Sequence, residues 1–231
     1  MPFWFTLLLF VAMTVLSELI RPKPQFEDAK PAGIGDFQFP TATEARRIPL
    51  LWGTVQIKGP NVVWYGDLKI VAITETVRTG WFSKKTFIKG YKYYIGIQFA
   101  LCRGPIDSIT GLWIDTDRVY TGTLTDGNTA TVDEPDIFGG ADLGQGGHLG
   151  TFLLHAGSLT QAVSTYLSAF QLEGGDTPAY TGTCYLAPHE EAPYVGNGTN
   201  IKPWRCEVVR ITNCNGLGLA DPTVNTDDAN P

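Results

Sequence analysis

The side chains of this chain that could carry chemistry are three histidines, four cysteines and a few closely spaced carboxylates. His148, His155 and His189 fall in neither H-x-x-x-H nor H-E-x-x-H spacing, so the helical zinc-binding pattern is missing. His189-Glu190-Glu191 sets an imidazole beside two carboxylates, donors that a metal accepts. Pro188 and Pro193 bound that segment, however, and a solvated turn is the preferred reading. Asp115 and Asp117 flank Thr116. On a strand, residues two apart share a face, so these carboxylates would be neighbours, as calcium ligation or a glycosidase-like acid pair requires. An Asp-rich turn between strands is the competing and preferred reading. Cys102, Cys184, Cys206 and Cys214 include no C-x-x-C pair. Four thiolates suffice for an iron–sulfur cluster, but their spacings match none of the usual ligand patterns, and buried free thiols are preferred. Gly144 to Gly147 (GQGG) lacks the following G-K-[ST] of a phosphate loop. Neither a G-x-S-x-G elbow nor a dinucleotide fingerprint occurs. Asn197-Gly198-Thr199 is a formal glycosylation sequon, relevant only in a eukaryotic secretory pathway. The expectation is therefore a non-enzyme with no catalytic, metal or cofactor-binding residues.

The elements around these residues follow from composition and pattern. With 43% hydrophobic and 17% charged residues among 231, the chain can bury a core and is unlike disordered sequences. Its net charge of −6 argues against nucleic-acid binding, which rests on phosphate neutralisation by basic residues. Abundant Gly (26) and Pro (15), with many Thr and aromatic residues, fit strands joined by turns.

Residues 1–20 are apolar and carry no charge before Glu18. They are barely long enough to span a bilayer as a helix of about 20 residues. There is no basic stretch before them and no small-x-small cleavage site after them, so they make a poor signal peptide. Arg21 and Lys23 follow, which by the positive-inside rule leaves the rest of the chain in the cytoplasm. Pro22 and Pro24 end the helix. Three readings stay open: a helix buried in a multi-chain assembly, a membrane anchor, and an uncommon signal sequence. Residues 21–45 read as an extended arm that reaches across neighbours or is flexible.

Residues 46–215 read as one β-rich domain with an inserted loop and helix region at 125–178, and residues 216–231 as a polar tail. Strand signals run from Ile48 to Ile57, from Val62 to Tyr65 and from Leu68 to Thr76, with a turn at Lys58-Gly59-Pro60-Asn61. Val77 to Gly90 reads as a hairpin tip, with Arg78, Lys84, Lys85 and Lys89 around Trp81-Phe82. A solvated turn is preferred there over a contact loop with aromatic anchors. Tyr91 to Cys102 is the strongest strand, and Gly96 inside it implies close backbone approach or a bulge. Ile106 to Ile114 and Arg118 to Leu124 follow as strands, and Asp126 to Gly150 reads as loop. Ala162, Val163, Tyr166, Leu167 and Phe170 share one face of a helix from Ser158 to Gln171, ended by Gly174-Gly175. Ala179 to Leu186 and Trp204 to Ile211 are the last strands. No repeat of solenoid period is visible.

Two stretches carry a resemblance. RRIPLLWGTVQIKGPNVVWYGDL (Arg46 to Leu68) resembles the opening of phage tail-tip proteins, through Ile48, Pro49, Gly53, Trp64, Gly66 and Asp67. DTPAYTGTCYLAPHEEAPYVGNGTNIKPWRCEVVRI (Asp176 to Ile211) is similar to a second block of the same proteins, through Pro178, Ala179, Tyr180, Gly182, Pro203, Glu207, Val208 and Arg210. The family comprises baseplate hub and central-fibre tail proteins of long-tailed phages and gene transfer agents. The resemblance implies a mainly β (α+β) fold, with a tail-tube-like barrel or sandwich hub domain, one internal helix and the hydrophobic N-terminal helix. It further implies a virion protein at the tail tip, a homotrimer that closes or continues the tail tube. Its partners would be the distal tail and tape-measure proteins and fibre or hub components, and it would hold no cofactor.

Family members are usually longer, and Asp227 to Pro231 looks like a junction at which they continue into further domains. The hydrophobic segment lies outside both blocks. It is expected in the tail lumen as a helix bundle, or held there until it enters a host membrane during DNA ejection. Candidate interface residues are Trp52, Trp64, Trp81 and Phe82, because a small monomer has little reason to expose them. Rival readings are a membrane-anchored bacterial envelope protein with a binding or assembly role, and a carbohydrate-degrading tail component using Asp115 and Asp117.

Overall fold

Alternating and continuous apolar runs in this sequence become strands, ten of them among the described residues, and they form two antiparallel sheets. The computed structural model describes residues 3–20, 27–40, 46–78, 84–140, 144–170 and 177–210. In chain order the elements are helix α1 (Phe3–Ile20), β1 (Gly53–Lys58), β2 (Asn61–Arg78), β3 (Lys84–Arg103), β4 (Ser108–Ile114), β5 (Asp117–Leu124), β6 (Thr129–Glu134), β7 (His148–His155), helix α2 (Thr165–Phe170), β8 (Thr183–Pro188), β9 (Tyr194–Gly196) and β10 (Trp204–Arg210). The mainly β expectation is met, with one small internal helix and an N-terminal one.

The chain divides into two compact units. The smaller comprises Met1–Lys30 and Ile73–Gly90. In it Ala29 N–H donates to Ile88 O (3.0 Å), Ile88 N–H donates to the Asp28 carboxylate (2.8 Å), and Lys89 pairs with Glu75 at 2.9 Å. Helix α1 also belongs to this unit. Among the described residues no helix is long and apolar enough to cross a membrane.

The larger unit, Pro31–Ala72 and Tyr91–Pro231, holds the core. One sheet has the order β1-β10-β4-β5 and the other β2-β3-β8-β7-β6, with β9 pairing both β3 and β7. Ile95, Ile97, Phe99 and Leu101 of β3 pack with Leu112 of β4 and Val208 of β10, so the core lies between the sheets. On the other side of β3, Tyr166 of α2 lies against Gly96, where any Cβ would collide with the tyrosine ring. The close approach at Gly96 is thus made by a side chain and not by backbone. The turn at Gly59 (φ +62) makes no hairpin, because β1 and β2 belong to different sheets.

Two sequence expectations are corrected. Asp126 to Gly150 is not loop throughout, since it contains β6 and the start of β7, paired from Thr129↔Leu153 to Glu134↔His148. Ala130 and Val132 are buried and the threonines beside them exposed, an alternation too short to stand out. The helix begins at Thr165, not Ser158. Gln161 closes the preceding segment instead: its carbonyl accepts from Gly157 N–H at 2.7 Å and its amide donates to Ala179 O at 2.9 Å. Ser164 then caps α2 by accepting from Leu167 N–H. Residues 31–40 of the arm pack within this unit. Phe37 is buried against Tyr93, and Gln38 bridges Asn200.

Candidate functional site

The two sequence blocks that carry the resemblance, though far apart in the chain, fold onto one another. Strand β1 of the first pairs along its whole length with β10 of the second, from Gly53↔Arg210 to Lys58↔Arg205. At the Gly53 end the motif residues converge on Arg103-Gly104, where β3 ends. Pro49 O accepts from Arg103 N–H (2.8 Å), Gly182 O accepts from Gly104 N–H (3.0 Å), and the buried Arg210 guanidinium donates to Arg103 O (2.8 Å). Gly53 (φ +76) and Gly182 (φ +73) hold backbone conformations that favour glycine. Glu207 accepts from the Thr110 hydroxyl at 2.6 Å, tying β10 to β4, and Pro203 O accepts from Asp115 N–H at 2.8 Å.

Trp64, Gly66, Asp67 and Tyr180 gather around α2. The Asp67 carboxylate accepts from the Tyr166 hydroxyl at 2.8 Å. Burial first, then this carboxylate, pushes the Tyr166 pKa up. Trp64 packs edge-on to Tyr166, and a Cβ at Gly66 would come within 2.7 Å of the Trp64 ring. Tyr180 packs on Tyr185. Pro178 and Ile48 are exposed. Arg103-Gly104 was not singled out in the sequence. Its signal there is an Arg-Gly-Pro stop after the longest apolar strand.

The interface candidates separate. Trp52 is 58% exposed. Trp64 is half-buried against Tyr166 of its own chain. Trp81 and Phe82 lie outside the described residues.

The candidate chemistry separates too. Asp115 has φ +56 and forms, with Thr116, the turn between β4 and β5, so Asp115 and Asp117 do not line one strand face. His189 lies 3.6 Å from Glu190, where the chain loops out between β8 and β9 beside an open cleft of about 430 Å³. Tyr94, Tyr194, Asp133 and Glu191 also line this cleft. Among the described residues no group of three His, Cys, Asp or Glu side chains could hold a metal ion.

His148 is buried between Phe152 and Trp204, and burial pushes its pKa down to about 3. His155 stacks on Tyr185 and is likewise lowered by burial, against the pull of Asp126. Cys102, Cys184 and Cys206 are buried free thiols, as preferred from the sequence. Cys102 and Cys184 face each other across β3 and β8. Their hydrogen bond, aided by Arg210, holds Cys102 below the ordinary thiol value despite its burial, and burial pushes Cys184 up. Cys214 lies outside the described residues. Iron and sulfide analysis of protein purified without oxygen separates a four-thiolate cluster from free thiols.

No family model matches the sequence, and no curated protein matches it. Among solved structures the chain is similar to a component of the "virion of native gene transfer agent (GTA) particle". The TM-score is 0.44 and the identity 17%, over 88% of this chain and 36% of that one. This chain therefore spans about a third of that component.

Proposed function

We propose that the chain is a structural, non-enzymatic component of a phage-like virion, at the tail tip. There a trimer of it forms a ring that continues or closes the tail tube and contacts distal tail and tape-measure proteins. The observation that carries this reading is the junction at Arg103-Gly104. Two separated blocks that resemble tail-tip proteins supply Pro49, Gly53, Gly182 and Arg210 to one hydrogen-bonded node, as residues of one ancestral domain would. Assembly is supported by β2, 18 residues long and the last strand of its sheet among the described residues. Its side chains Val63, Tyr65, Ile70 and Val71 are exposed. An edge of that length is a template for pairing with another chain, and a ring of copies joined through unlike surfaces leaves no such edge open.

Native mass measurement of the full chain in mild detergent tests the ring. A species of three times 25.2 kDa is expected, and a species of 25.2 kDa alone at all concentrations overturns it. Antibody labelling of purified particles tests the location: label at the tail tip is expected, and absence from particles overturns it. The exposed apolar helix α1 favours a second reading, an anchored envelope protein, which would pellet with membranes in uninfected cells.

A further inference from the structure

Helix α1 presents apolar side chains in every direction. At 100° per residue, the exposed side chains of Trp4, Leu7, Leu8, Phe10, Met13 and Leu16 go around the whole circumference and leave no arc wider than about 80°. A helix that docks in a protein groove shows an apolar stripe, and a coiled-coil seam occupies two positions in seven. This helix has neither pattern, so a surrounding that is apolar on all sides fits it better than a partner on one side. The two described threonines are consistent with that. Thr6 Oγ1 donates to Phe3 O at 2.9 Å, and Thr14 Oγ1 lies 2.8 Å from Phe10 O and 2.9 Å from Val11 O. Both hydroxyls are satisfied by the helix's own backbone, as an environment without water demands. Trp4 stands near one end, a residue type that favours the membrane interface, and the sequence continues past the other end with Arg21 and Lys23, cations suited to lipid phosphates.

We propose that residues 3–20 are a lipid-facing helix that inserts into a bilayer with anionic headgroups. The proposal does not rest on the ring reading. At about 1.5 Å per residue the helix is about 27 Å long, against about 30 Å of hydrocarbon. That is too short for a crossing, so the helix inserts without spanning the bilayer. Lipid on every side is the claim, whatever depth the helix reaches.

Flotation of the full chain tests it, with vesicles of three parts phosphatidylethanolamine to one part phosphatidylglycerol formed around the protein by detergent removal. The protein is expected to float with the vesicles at high salt. Leu7→Arg, Leu8→Arg and Met13→Arg, on three different sides of the helix, are each expected to lower the bound-to-free ratio about a hundredfold. Near-UV circular dichroism of the same samples is expected to stay unchanged, because the substituted side chains are exposed. Protein that remains at the bottom of the gradient with an intact dichroism signal overturns the proposal. So does a series in which one substitution abolishes flotation and the other two have no effect, since that describes a one-sided protein contact. Native mass of the unsubstituted chain keeps the two readings apart: protein that floats but forms no trimer defeats the ring alone, and a trimer that does not float defeats the lipid helix alone.

Discussion

Helix α1 and strand β3 are both long apolar runs, and they end in opposite environments. From Ile95 to Cys102 every residue of β3 is buried, whereas the described side chains of α1 are exposed. A strand has unpaired backbone groups on both edges, so β3 is drawn between β2 and β8, and its two faces are then covered by the other sheet and by α2. A helix satisfies its own backbone and has no such recruiting edge. An apolar run thus says that surface must leave water. Whether the same chain supplies the cover depends on backbone pairing, and α1 must find its cover elsewhere.

The largest expected effect that sharpens this comparison is in β3. Ile97→Ala removes three carbons from a site 2% exposed and is expected to cost about 2–5 kcal/mol, through lost transfer energy and the cavity left behind. Urea denaturation of the full chain in detergent, followed by tryptophan fluorescence, reads it. A loss below about 1 kcal/mol would mean that the space between the sheets is not packed as described.

A smaller effect comes from His148, on the same core. Its pKa in the folded chain is about 3, below the ordinary value near 6.5, so the unfolded chain takes up the proton first as pH falls. Its contribution is intact above about pH 6.5 and declines toward pH 3, at about 1.4 kcal/mol per pH unit. His155 is lowered in the same direction and steepens the decline. His148→Phe keeps the stacking on Phe152 and Trp204 and removes one titrating group. The variant is expected to show a shallower loss of stability between pH 6 and pH 4, and an unchanged slope would exclude His148 as its source.

The sequence was legible where a pattern was long. β4, β5 and β10 stand within two residues of their expected positions, whereas β3 begins at Lys84 instead of Tyr91, within the segment expected to be a hairpin tip. β3, β4 and β10 carry several buried residues in a row or in alternation. β6 was hidden because only Ala130 and Val132 mark its buried face, and β9 because three residues make no pattern. The start of α2 was misplaced because the apolar spacing continues upstream through Ala162 and Val163. The break is set by Gln161, whose bonds reach residues 179 and 180, and such long-range partners leave no trace in a local window. The motif node shows the same limit. Pro49, Gly182 and Arg210 were picked out individually, yet Arg103-Gly104, which joins them, belongs to neither block. Trp64 stands out by its type alone, and the neighbour that half-buries it, Tyr166, lies about a hundred positions away.

The smallest effect is the most direct challenge to the comparison. Leu8 of α1 is 72% exposed, so Leu8→Ala leaves no cavity and breaks no contact within the sheets. Its expected cost to the stability of the larger unit is within about 0.5 kcal/mol, as at surface positions generally, although the atoms deleted match those lost in Ile97→Ala. The same urea titration reads both variants side by side. A cost for Leu8→Ala that approaches that of Ile97→Ala would mean that α1 is covered by protein in the folded state, and the contrast between the two apolar runs would then be lost. A cost near zero, joined to weaker vesicle flotation, would place the whole contribution of Leu8 outside the fold.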